Sequence, residues 1–408
     1  MHAAIPELTH TATTHSSQSS LQILHTDTAG DLPIVVHSHL RWDFVWQRPQ
    51  HILTRLAANH RVVFIEEPVW GDHPSGLDIT QAARNVVRIV PRMRTGAERE
   101  ADDLPCAIQA AFDKHELLRG DFSRVIHWFY TPMAAPVFLG KFEAAAVVYD
   151  CMDELSKFRF APEDLRRRER LLLKEADVVF TGGYQLFTAK SQHHRNVHFY
   201  GCGVEVEHYA KAREAGTVIH PDIAHLPRPV LGYFGVIDER LDYELIDRLA
   251  ASFHDGSIVM IGPLAKVDRD TLPQRANIHW LGQQAYETLP RYVKGFDVCL
   301  MPFALNEATE HINPTKTLEY MAAGKPVVST AVPDVVRNFD SLVTVAHTPV
   351  AFIEAAREAC SAPDPGRIAR GIARAADMSW DAVVAAMRGH VLSAVAARQA
   401  RCAQSLVI

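Results

Sequence analysis

The chain has 408 residues, of which 48% are hydrophobic and 22% are charged, and its formal net charge is −6. This length exceeds what one hydrophobic core usually organises, so we expect two domains. The negative charge provides no general attraction for a polyanion, so we expect no nucleic acid partner.

The first 30 residues are rich in Ser, Thr and His and show little periodicity, which predicts a disordered segment. This segment lacks a basic start followed by an apolar run, and no later stretch approaches the roughly 18 apolar residues of a membrane span. We therefore expect a cytoplasmic protein. Peripheral contact with the inner face of a membrane stays open, because Arg166, Arg167 and Arg168 form either a solvated helix face or a lipid contact.

Cysteine and histidine give no sign of a metal centre. The six cysteines contain no C-x-x-C pair, and reduced thiols are the simpler interpretation. The 22 histidines contain no H-E-x-x-H motif. We therefore expect no metal site.

Two series of short apolar runs alternate with helical or loop segments, which predicts an α/β fold with parallel sheets. In the first series the predicted strands are residues 34–36, 62–65, 86–90, 125–128, 145–149, 178–180 and 197–200. In the second series they are residues 230–234, 257–261, 278–281, 298–301, 327–329 and 342–345.

These series predict two Rossmann-like domains that face each other across a cleft. We expect a disordered segment at 1–30, an N-terminal domain at 31–205, a linker at 206–229 and a C-terminal domain at 230–378. A helix follows the last strand, and its Ala/Val pattern has an apolar face that needs covering. We expect this segment, residues 379–408, to cross back to the N-terminal domain.

The most informative stretch of the second half is NEATEHINPTKTLEYMAAGKPVV, residues 306–328. Asn313 can cap a helix that has Pro314 at its first position, and Gly324 suits the helix exit. Backbone N–H groups at the helix start, with Lys316, would meet a diphosphate, and Glu319 could accept hydrogen bonds from a ribose diol. Alternatively, Lys316 and Glu319 form an ordinary surface ion pair.

A second candidate anion site follows the first strand of this half, in GYFGVIDER at residues 232–240. Gly235 would let a ligand approach the backbone, and Arg240 could hold phosphate oxygens with two hydrogen bonds. Alternatively, the glycine makes only a tight turn and the arginine pairs with Glu239 or Asp242.

Three stretches of the second half resemble retaining glycosyltransferases of group 1, a family 4-like group with two Rossmann-like domains (the GT-B fold). They are LEYMAAGKPVV at 318–328, NIHWLG at 277–282 and FDVCLMP at 296–302. The resemblance spans most of residues 228–380. It implies a nucleoside diphosphate sugar as co-substrate, with no other cofactor, and an acceptor that is a glycan or a lipid-linked saccharide. It also implies retention of configuration, without a metal, and a role in polysaccharide biosynthesis.

The resemblance also implies that the C-terminal domain, at 230–378, binds the nucleotide sugar and that the N-terminal domain, at 31–205, binds the acceptor. The family motif has two glutamates separated by seven residues; the second matches Glu319, as the ribose ligand, and His311 stands where many members have the first. Glu307, Glu310 and His311 are therefore all candidates for contacts with the donor sugar. The Pro-Thr-Lys-Thr variant resembles a branch with lysine at the diphosphate, which supports Lys316 as a catalytic residue beside Arg240. Asn313 and Thr315 complete the predicted donor site.

The acceptor is expected at the N-terminal domain, where the loop HSHLRWDFVWQRPQH, residues 37–51, follows the first strand. Family members with a W-x-x-R-P-Q-H sequence use this loop for a sugar or isoprenoid-linked acceptor. The candidate contacts are His39, Arg41, Trp42 and Asp43, although the loop's aromatic residues could instead pack the core. In a third loop, Asp153 is either an acceptor-side base or a helix cap.

Together these features predict a glycosyltransferase that moves a hexose to a hydroxyl group, in assembly of the cell envelope or an exopolysaccharide. Two other hypotheses fit the same donor site. One is a nucleotide-sugar epimerase, which would need no acceptor, and the other is a non-catalytic nucleotide-sugar-binding partner of another transferase.

Overall fold

The structure, a computed structural model, describes residues 32–96, 103–158 and 160–405. The predicted disordered segment at 1–30 lies outside the described residues. Two sheets organise the described part of the chain, one in each half.

The N-terminal sheet has nine strands in the order β3-β5-β2-β1-β6-β7-β8-β9, with β4 paired to β5. The strands are β1 (Ile34–Ser38), β2 (Val62–Glu66), β3 (Val69–Gly71), β4 (Gly76–Ala83), β5 (Val86–Arg94), β6 (Arg124–Phe129), β7 (Glu143–Cys151), β8 (Val178–Thr181) and β9 (Val197–Phe199). Its central strands are buried apolar runs, as a sheet covered on both faces requires.

The pairing of β4 with β5 is antiparallel, and the sequence did not predict it. Asn85 has a φ of 58° between these two strands, a conformation that asparagine tolerates better than most residues. Strand β4 lacks a continuous apolar run and is only partly buried, so its sequence does not show the pattern of a buried parallel strand.

The C-terminal sheet has six strands in the order β12-β11-β10-β13-β14-β15, all of them parallel. The strands are β10 (Val230–Phe234), β11 (Ser257–Ile261), β12 (Ile278–Gly282), β13 (Val298–Met301), β14 (Val327–Thr330) and β15 (Thr344–Ala346). The last strand begins two residues later than predicted, because Leu342 and Val343 belong to the turn after the preceding helix.

Helices cover both sheets. In the first half they are α1 (Arg48–Leu56), α2 (Leu104–Lys114), α3 (Ala135–Phe138), α4 (Leu165–Glu175) and α5 (Tyr184–Ser191). After these come α6 (Val206–Ala210), α7 (Pro221–Ala224), α8 (Tyr243–Ser252), α9 (Leu289–Gly295), α10 (Lys316–Ala322), α11 (Pro333–Phe339), α12 (Pro349–Ser361), α13 (Pro365–Ala376) and α14 (Trp380–Ser405).

The last helix, α14, returns to the N-terminal half, as its apolar pattern predicted. Trp380, Met387 and Val391 are buried in the same cluster as Ile52 and Leu53 of α1. Two ion pairs hold the far end of α14, because Arg398 and Arg401 both contact the carboxylate of Asp177. The α/β fold with two Rossmann-like halves and a returning C-terminal helix is therefore confirmed.

No helix within the described ranges is long and apolar enough to cross a membrane. The same residues contain no group of three or more His, Cys, Asp or Glu side chains placed to hold a metal ion.

Candidate functional site: a cleft between the two sheets

The carboxyl ends of the two sheets border a cleft of about 510 Å³. Its N-terminal wall is the loop after β1, with contributions from the loops after β7 and β8. Its C-terminal wall comes from α6, the loops after β10, β11 and β12, and the start of α10. The predicted site residues in its lining are Trp42, Asp43, Asp153, Gly235, Arg240, Asn313, Thr315, Lys316 and Glu319.

The exit of β10 is packed tightly against the cleft lysine. Gly235 has a φ of 148°, and a Cβ at this position would collide with the Lys316 side chain and the Tyr233 hydroxyl. A Cβ on Gly262, at the exit of β11, would collide with the Gly235 carbonyl oxygen. Neither position has room for a side chain, so both must be glycine for the chain to pack closely beside the cleft. Gly235 therefore does more than form a tight turn.

Helix α10 begins later than the sequence predicted. Its first residue is Lys316 and Thr315 is the residue before it, so Asn313 does not cap the helix and Pro314 is not its first residue. The Asn313 amide instead donates to the Gly182 carbonyl oxygen in the other half, at 3.1 Å. The Asn313 side chain therefore makes a contact between the two halves instead of capping α10. The predicted exit at Gly324 is confirmed, because this residue has a φ of 70° just after the helix.

Lys316 and Glu319 do not form the surface ion pair considered above, because Glu319 is only 9% exposed. Burial raises the pKa of the Glu319 carboxyl, and the nearby Lys316 charge opposes that effect. Lys316 itself makes no ion pair with any described residue. Its ammonium group lies 5.8 Å from the centre of the Phe234 ring. The C-terminal wall therefore offers one cation without an ion-pair partner and one buried carboxylate.

Arg240 pairs with Asp238, rather than with Glu239 or Asp242. Its Nε donates to both Asp238 carboxylate oxygens at 3.0 Å. Although burial alone would lower the pKa of Arg240, Asp238 and then Asp153 raise it. Asp242 has a different role, because its side chain accepts from the Leu245 N–H and caps α8.

Asp153 reaches the cleft from the opposite half. It does not cap a helix, because the short 3₁₀ helix Leu155–Lys157 starts after Glu154 and has no side-chain cap. Burial raises the pKa of the Asp153 carboxyl, and the Arg240 charge opposes the change. Both residues line the cleft, and the charge of each affects the pKa of the other.

The N-terminal wall is held by a buried ion pair. Arg48 donates from Nη2 to Asp150 at 2.9 Å, and both side chains are almost fully buried. Arg48 also donates from Nη1 to the Tyr200 carbonyl oxygen at 2.9 Å. The arginine of the WQRPQH sequence, residues 46–51, therefore fixes the loop after β1 onto β7.

Other polar residues of the same loop also hold its shape. Gln50 donates to the carbonyl oxygens of Trp42 and Val45, and it accepts from the Gln47 N–H. Trp42 is buried in the N-terminal core, as the core alternative predicted, while one edge lines the cleft. Trp46 is partly exposed at the cleft, and its ring centre lies 6.0 Å from that of Tyr286 in the other wall.

Three predicted acceptor residues have other contacts in this structure. Arg41 donates to Glu66 at 3.0 Å and lies outside the cleft lining. Asp43 lines the cleft and forms an ion pair with Arg88. His39 is outside the lining, and burial, with the nearby Lys266 charge, lowers its pKa to about 4.

The three candidates for the donor sugar also lie outside the lining. Glu307 is 73% exposed and pairs with Lys157 at 2.8 Å. Glu310 is 58% exposed and lies 3.9 Å from His311. The His311 Nδ1 is buried without a hydrogen-bond partner within the described chain. Sugar contacts by these three residues stay predictions.

Side-chain contacts also join the two halves of the chain. The Asp334 carboxylate of α11 accepts from the Tyr184 N–H at the start of α5, at 2.7 Å. Tyr286 donates to Glu205 at 2.8 Å, and Glu205 also accepts from Arg55. Contacts with His51, and then with these tyrosine and arginine groups, lower the pKa of Glu205 to about 2.

Sequence reasoning missed three cleft residues. Tyr209 lies in the stretch interpreted as a linker, and no local pattern distinguished Tyr286. Arg48 lies inside the loop sequence quoted for the acceptor, residues 37–51, but that sequence did not identify Asp150 as its ion-pair partner.

Residues 228–361 match the family described as "Glycosyl transferases group 1". This segment contains the whole C-terminal wall of the cleft after α6. A curated relative, TuaH of Bacillus subtilis strain 168, is assigned as a glycosyltransferase of teichuronic acid biosynthesis. It is 28% identical over 233 residues, which are 50% of this chain and 55% of the relative. The chain thus spans about half the length of that relative.

Solved structures match almost the whole chain. A sucrose-phosphate synthase from Thermosynechococcus elongatus superimposes with a TM-score of 0.67 and 16% identity, over 90% of this chain and all of the other. A structure described as trehalose-6-phosphate from E. coli, bound with UDP-2-fluoro glucose, gives a TM-score of 0.60 at 13% identity. That match covers 88% of this chain and 98% of the other.

At these identities the solved structures establish the fold, which is GT-B. The family match concerns the C-terminal half of the chain alone. Residues 228–361 are thus similar to group 1 glycosyltransferases, within a chain whose fold is GT-B.

Proposed function

We propose that this protein is a retaining glycosyltransferase that moves a hexose from a nucleoside diphosphate sugar to a hydroxyl group of a glycan or a lipid-linked saccharide. The proposed setting is assembly of a cell-envelope or extracellular polysaccharide on the cytoplasmic side of the membrane. Retention follows from the resemblance of the second half to retaining family members.

One observation carries the proposal: the C-terminal wall places Lys316, without an ion-pair partner among the described residues, beside Gly235 and Glu319. A cation next to closely approachable backbone suits a diphosphate, and a buried carboxylate suits a neutral ligand that donates hydrogen bonds. A nucleoside diphosphate sugar has both kinds of group, next to each other.

The proposed chemistry is the departure of a nucleoside diphosphate from the anomeric carbon of the sugar. Negative charge develops on the diphosphate as the glycosidic bond breaks, and Lys316 would stabilise this charge. Arg240 would add to this effect, but Asp238 already neutralises part of its charge. We therefore assign the larger share to the lysine. The donor is the co-substrate, and the proposal requires neither a metal nor another cofactor.

The acceptor would enter from the N-terminal wall. Asp153 and Arg240 both line the cleft and their charges affect each other, which supports Asp153 as the residue that binds the acceptor hydroxyl next to the diphosphate. Trp42 and Asp43 line the same wall and are the further acceptor contacts that we propose. The part of this wall that includes Trp46 is aromatic, and it suits the apolar face of a sugar.

The related proteins support the class of substrate. The B. subtilis relative is assigned to teichuronic acid biosynthesis, and the E. coli structure holds UDP-2-fluoro glucose. These names favour a hexose donor and an envelope glycan for this protein.

A peripheral membrane contact is part of the proposal and depends on α4. Arg166, Arg170 and Lys174 are exposed and stand four residues apart, on one face of the helix. Such a stripe would attract an anionic membrane surface. Sedimentation with anionic vesicles should be lost in an Arg166→Glu/Lys174→Glu variant, and equal sedimentation of both proteins would refute the contact.

The activity is tested by incubating purified protein with UDP-, GDP- and dTDP-sugars in EDTA, with and without a lipid extract. We expect one nucleotide class to raise the unfolding temperature and to release its diphosphate only when the extract is present. Sugar transfer into the lipid or glycan fraction, with the anomeric configuration read by NMR, would establish the reaction and its stereochemistry.

The other outcomes are also distinct. Isomerisation of the donor without an acceptor would identify an epimerase, and binding without turnover would identify a non-catalytic partner. The absence of binding for all donors would refute the donor site itself.

A further inference from the structure

The hairpin of β4 and β5 carries a row of arginines on one of its faces. Arg88, Arg92 and Arg94 are partly or fully exposed, whereas the odd-numbered residues of β5 between them are buried. Since successive side chains of a strand point to opposite faces, the three arginines share one face of the sheet. They form an arginine row that spans about 20 Å, from the rise of about 3.3 Å per residue in a strand.

This face continues the N-terminal wall of the cleft. Val86 begins the same face of β5 and is buried in the hydrophobic cluster that contains Trp42, a residue of the cleft wall. Arg88 forms an ion pair with Asp43, and both Asp43 and Ala82 of β4 line the cleft. The arginine row therefore starts at the wall to which we assign the acceptor and continues along β5.

The present partners of the row are carboxylates that a ligand could replace. The Arg92 Nε atom lies 2.9 Å from the Asp78 Oδ1 atom, and Arg88 pairs with Asp43. The Asp43 and Asp78 side chains are 71% and 53% exposed. Ion pairs at exposed positions contribute little to stability, so the exchange of one carboxylate for another has a small free-energy cost.

The charge and length of the row favour an extended acidic ligand. The three arginines and two aspartates have a net charge of +1, in a chain whose formal net charge is −6. The planar guanidinium group matches the geometry of a carboxylate and can bind it with two hydrogen bonds. Because the row is much longer than one sugar ring, a chain of sugars can contact all of it and a monosaccharide cannot.

We propose that the arginine row binds the acceptor glycan through carboxylate groups on its sugar units. A carboxylate of the glycan replaces Asp43 at Arg88, and Asp43 then accepts hydrogen bonds from sugar hydroxyl groups in the cleft. The acceptor is thus an acidic chain whose end enters the cleft beside Trp42. The inference rests on the proposed function, because it assumes that the acceptor occupies the N-terminal wall.

The test measures binding of an acidic and a neutral form of one sugar chain. The acidic probe is a tetrasaccharide of galacturonic acid, and the neutral probe is the same tetrasaccharide with its carboxyl groups reduced to alcohols. Calorimetry at about 50 mM salt, where exposed charges are weakly screened, gives the dissociation constants. Wild type is compared with Arg92→Gln/Arg94→Gln. The matched control is Arg370→Gln/Arg374→Gln, which removes two exposed arginines of α13 in the C-terminal half.

We expect wild type to bind the acidic tetrasaccharide at least about tenfold more tightly than the neutral one. In Arg92→Gln/Arg94→Gln this preference should fall to about threefold or less, because two of the three cations are lost. The Arg370→Gln/Arg374→Gln control should keep the full preference. Affinity for the neutral probe should be the same in all three proteins.

A second variant should increase binding. Asp78→Asn removes the carboxylate that competes for Arg92, so affinity for the acidic probe should rise about threefold. Its control is Asp247→Asn, which changes the net charge equally but breaks an exposed ion pair with Arg275 in the C-terminal half. This control should bind the acidic probe like wild type. A purely structural ion pair of Asp78 and Arg92 would give no gain in binding.

Four results would overturn the inference. They are equal binding of both tetrasaccharides by wild type, no binding of the acidic one, an equal loss in the α13 control, and unchanged affinity in Asp78→Asn. The proposed function fails separately, because nucleotide binding does not involve the row. Wild type that binds a sugar nucleotide but does not prefer the acidic chain keeps the proposed function and loses this inference.

Discussion

The two walls of the cleft use their polar residues in opposite ways. In the C-terminal wall, the Glu319 carboxylate is buried, and neither it nor Lys316 forms an ion pair with any residue that the structure describes. In the N-terminal wall, Arg48 is bound to Asp150, and the other polar side chains of the loop mostly contact the protein itself.

This difference indicates a separate role for each wall. Unpaired polar groups lower the free energy of unfolding, and a ligand that pairs with them offsets this loss. The C-terminal wall is therefore preformed for a polar ligand. Paired groups instead stabilise a loop that presents Phe44 and Trp46 to the cleft. Substitutions in the N-terminal wall should therefore reduce stability, and those in the C-terminal wall should reduce binding or turnover.

The largest effect should come from breaking the buried ion pair. Asp150→Ala leaves the Arg48 charge buried without a partner, so the free energy of unfolding should fall by about 3–5 kcal/mol. Urea unfolding measures this. An Arg48→Met/Asp150→Leu variant removes both charges and should recover much of the loss. A single variant as stable as wild type would contradict the role given to this pair.

Next in size is the loss of the cleft cation. Lys316→Ala should lower kcat about 10²–10³-fold, the usual cost of removing one group that stabilises developing charge. Stability should change little, because Lys316 makes no ion pair in the described structure. Steady-state kinetics with the donor identified above provides the measurement, with Lys114→Ala on the exposed face of α2 as control. Unchanged turnover would reject Lys316 as a catalytic residue.

Acid should affect the N-terminal half first, because it contains the buried histidine pair. His37 Nε2 lies 3.1 Å from His127 Nδ1, and both rings are about 1% exposed. Burial, with the nearby Arg398 charge, lowers the pKa of His127 to about 4. A lowered pKa means stability that is complete above the unfolded-state pKa near 6.5 and is lost as the pH falls toward about 4.

The loss from His127 alone should be on the order of 3 kcal/mol across that range, since one pKa unit corresponds to about 1.4 kcal/mol. Urea unfolding at about pH 7.5 and about pH 4.5 would show it. His127→Asn should flatten the dependence. The same dependence in that variant would assign the effect to other groups.

A smaller effect should follow from Glu319→Gln. The amide keeps the shape but accepts ribose hydrogen bonds less strongly than a carboxylate, so the dissociation constant of the nucleotide should rise about tenfold. Stability without ligand should not decrease, because a buried charge has been removed. Calorimetry decides the point, and an unchanged dissociation constant would remove the ribose assignment.

The smallest effect should come from Arg41→Ala. This side chain is 40% exposed and pairs with Glu66, so its loss should change the free energy of unfolding by less than about 1 kcal/mol. Nucleotide affinity should not change. A raised KM for the acceptor alone would establish Arg41 as an acceptor contact, and an unchanged KM would exclude it.

Much of the fold could be predicted because a buried parallel strand has a local signature. Strands β1 and β2 begin with apolar runs, and β10 and β13 are mainly apolar throughout; each was placed within two residues. Strand β4 was not predicted, because it pairs antiparallel at an edge of the sheet. The start of α10 was predicted too early, because Asn313 contacts the other half of the chain instead of capping the helix.

By itself, the sequence determined the two-sheet α/β architecture, the returning helix and the stretch that contains Lys316 and Glu319, because each depends on spacing along one segment. Only the tertiary structure decided which polar groups are free to bind a ligand. Arg48 begins the helix after β1 and Arg240 lies in the loop after β10, but each is neutralised by an aspartate, Asp150 or Asp238. Burial and pairing depend on residues far apart in the chain, and no local pattern records them.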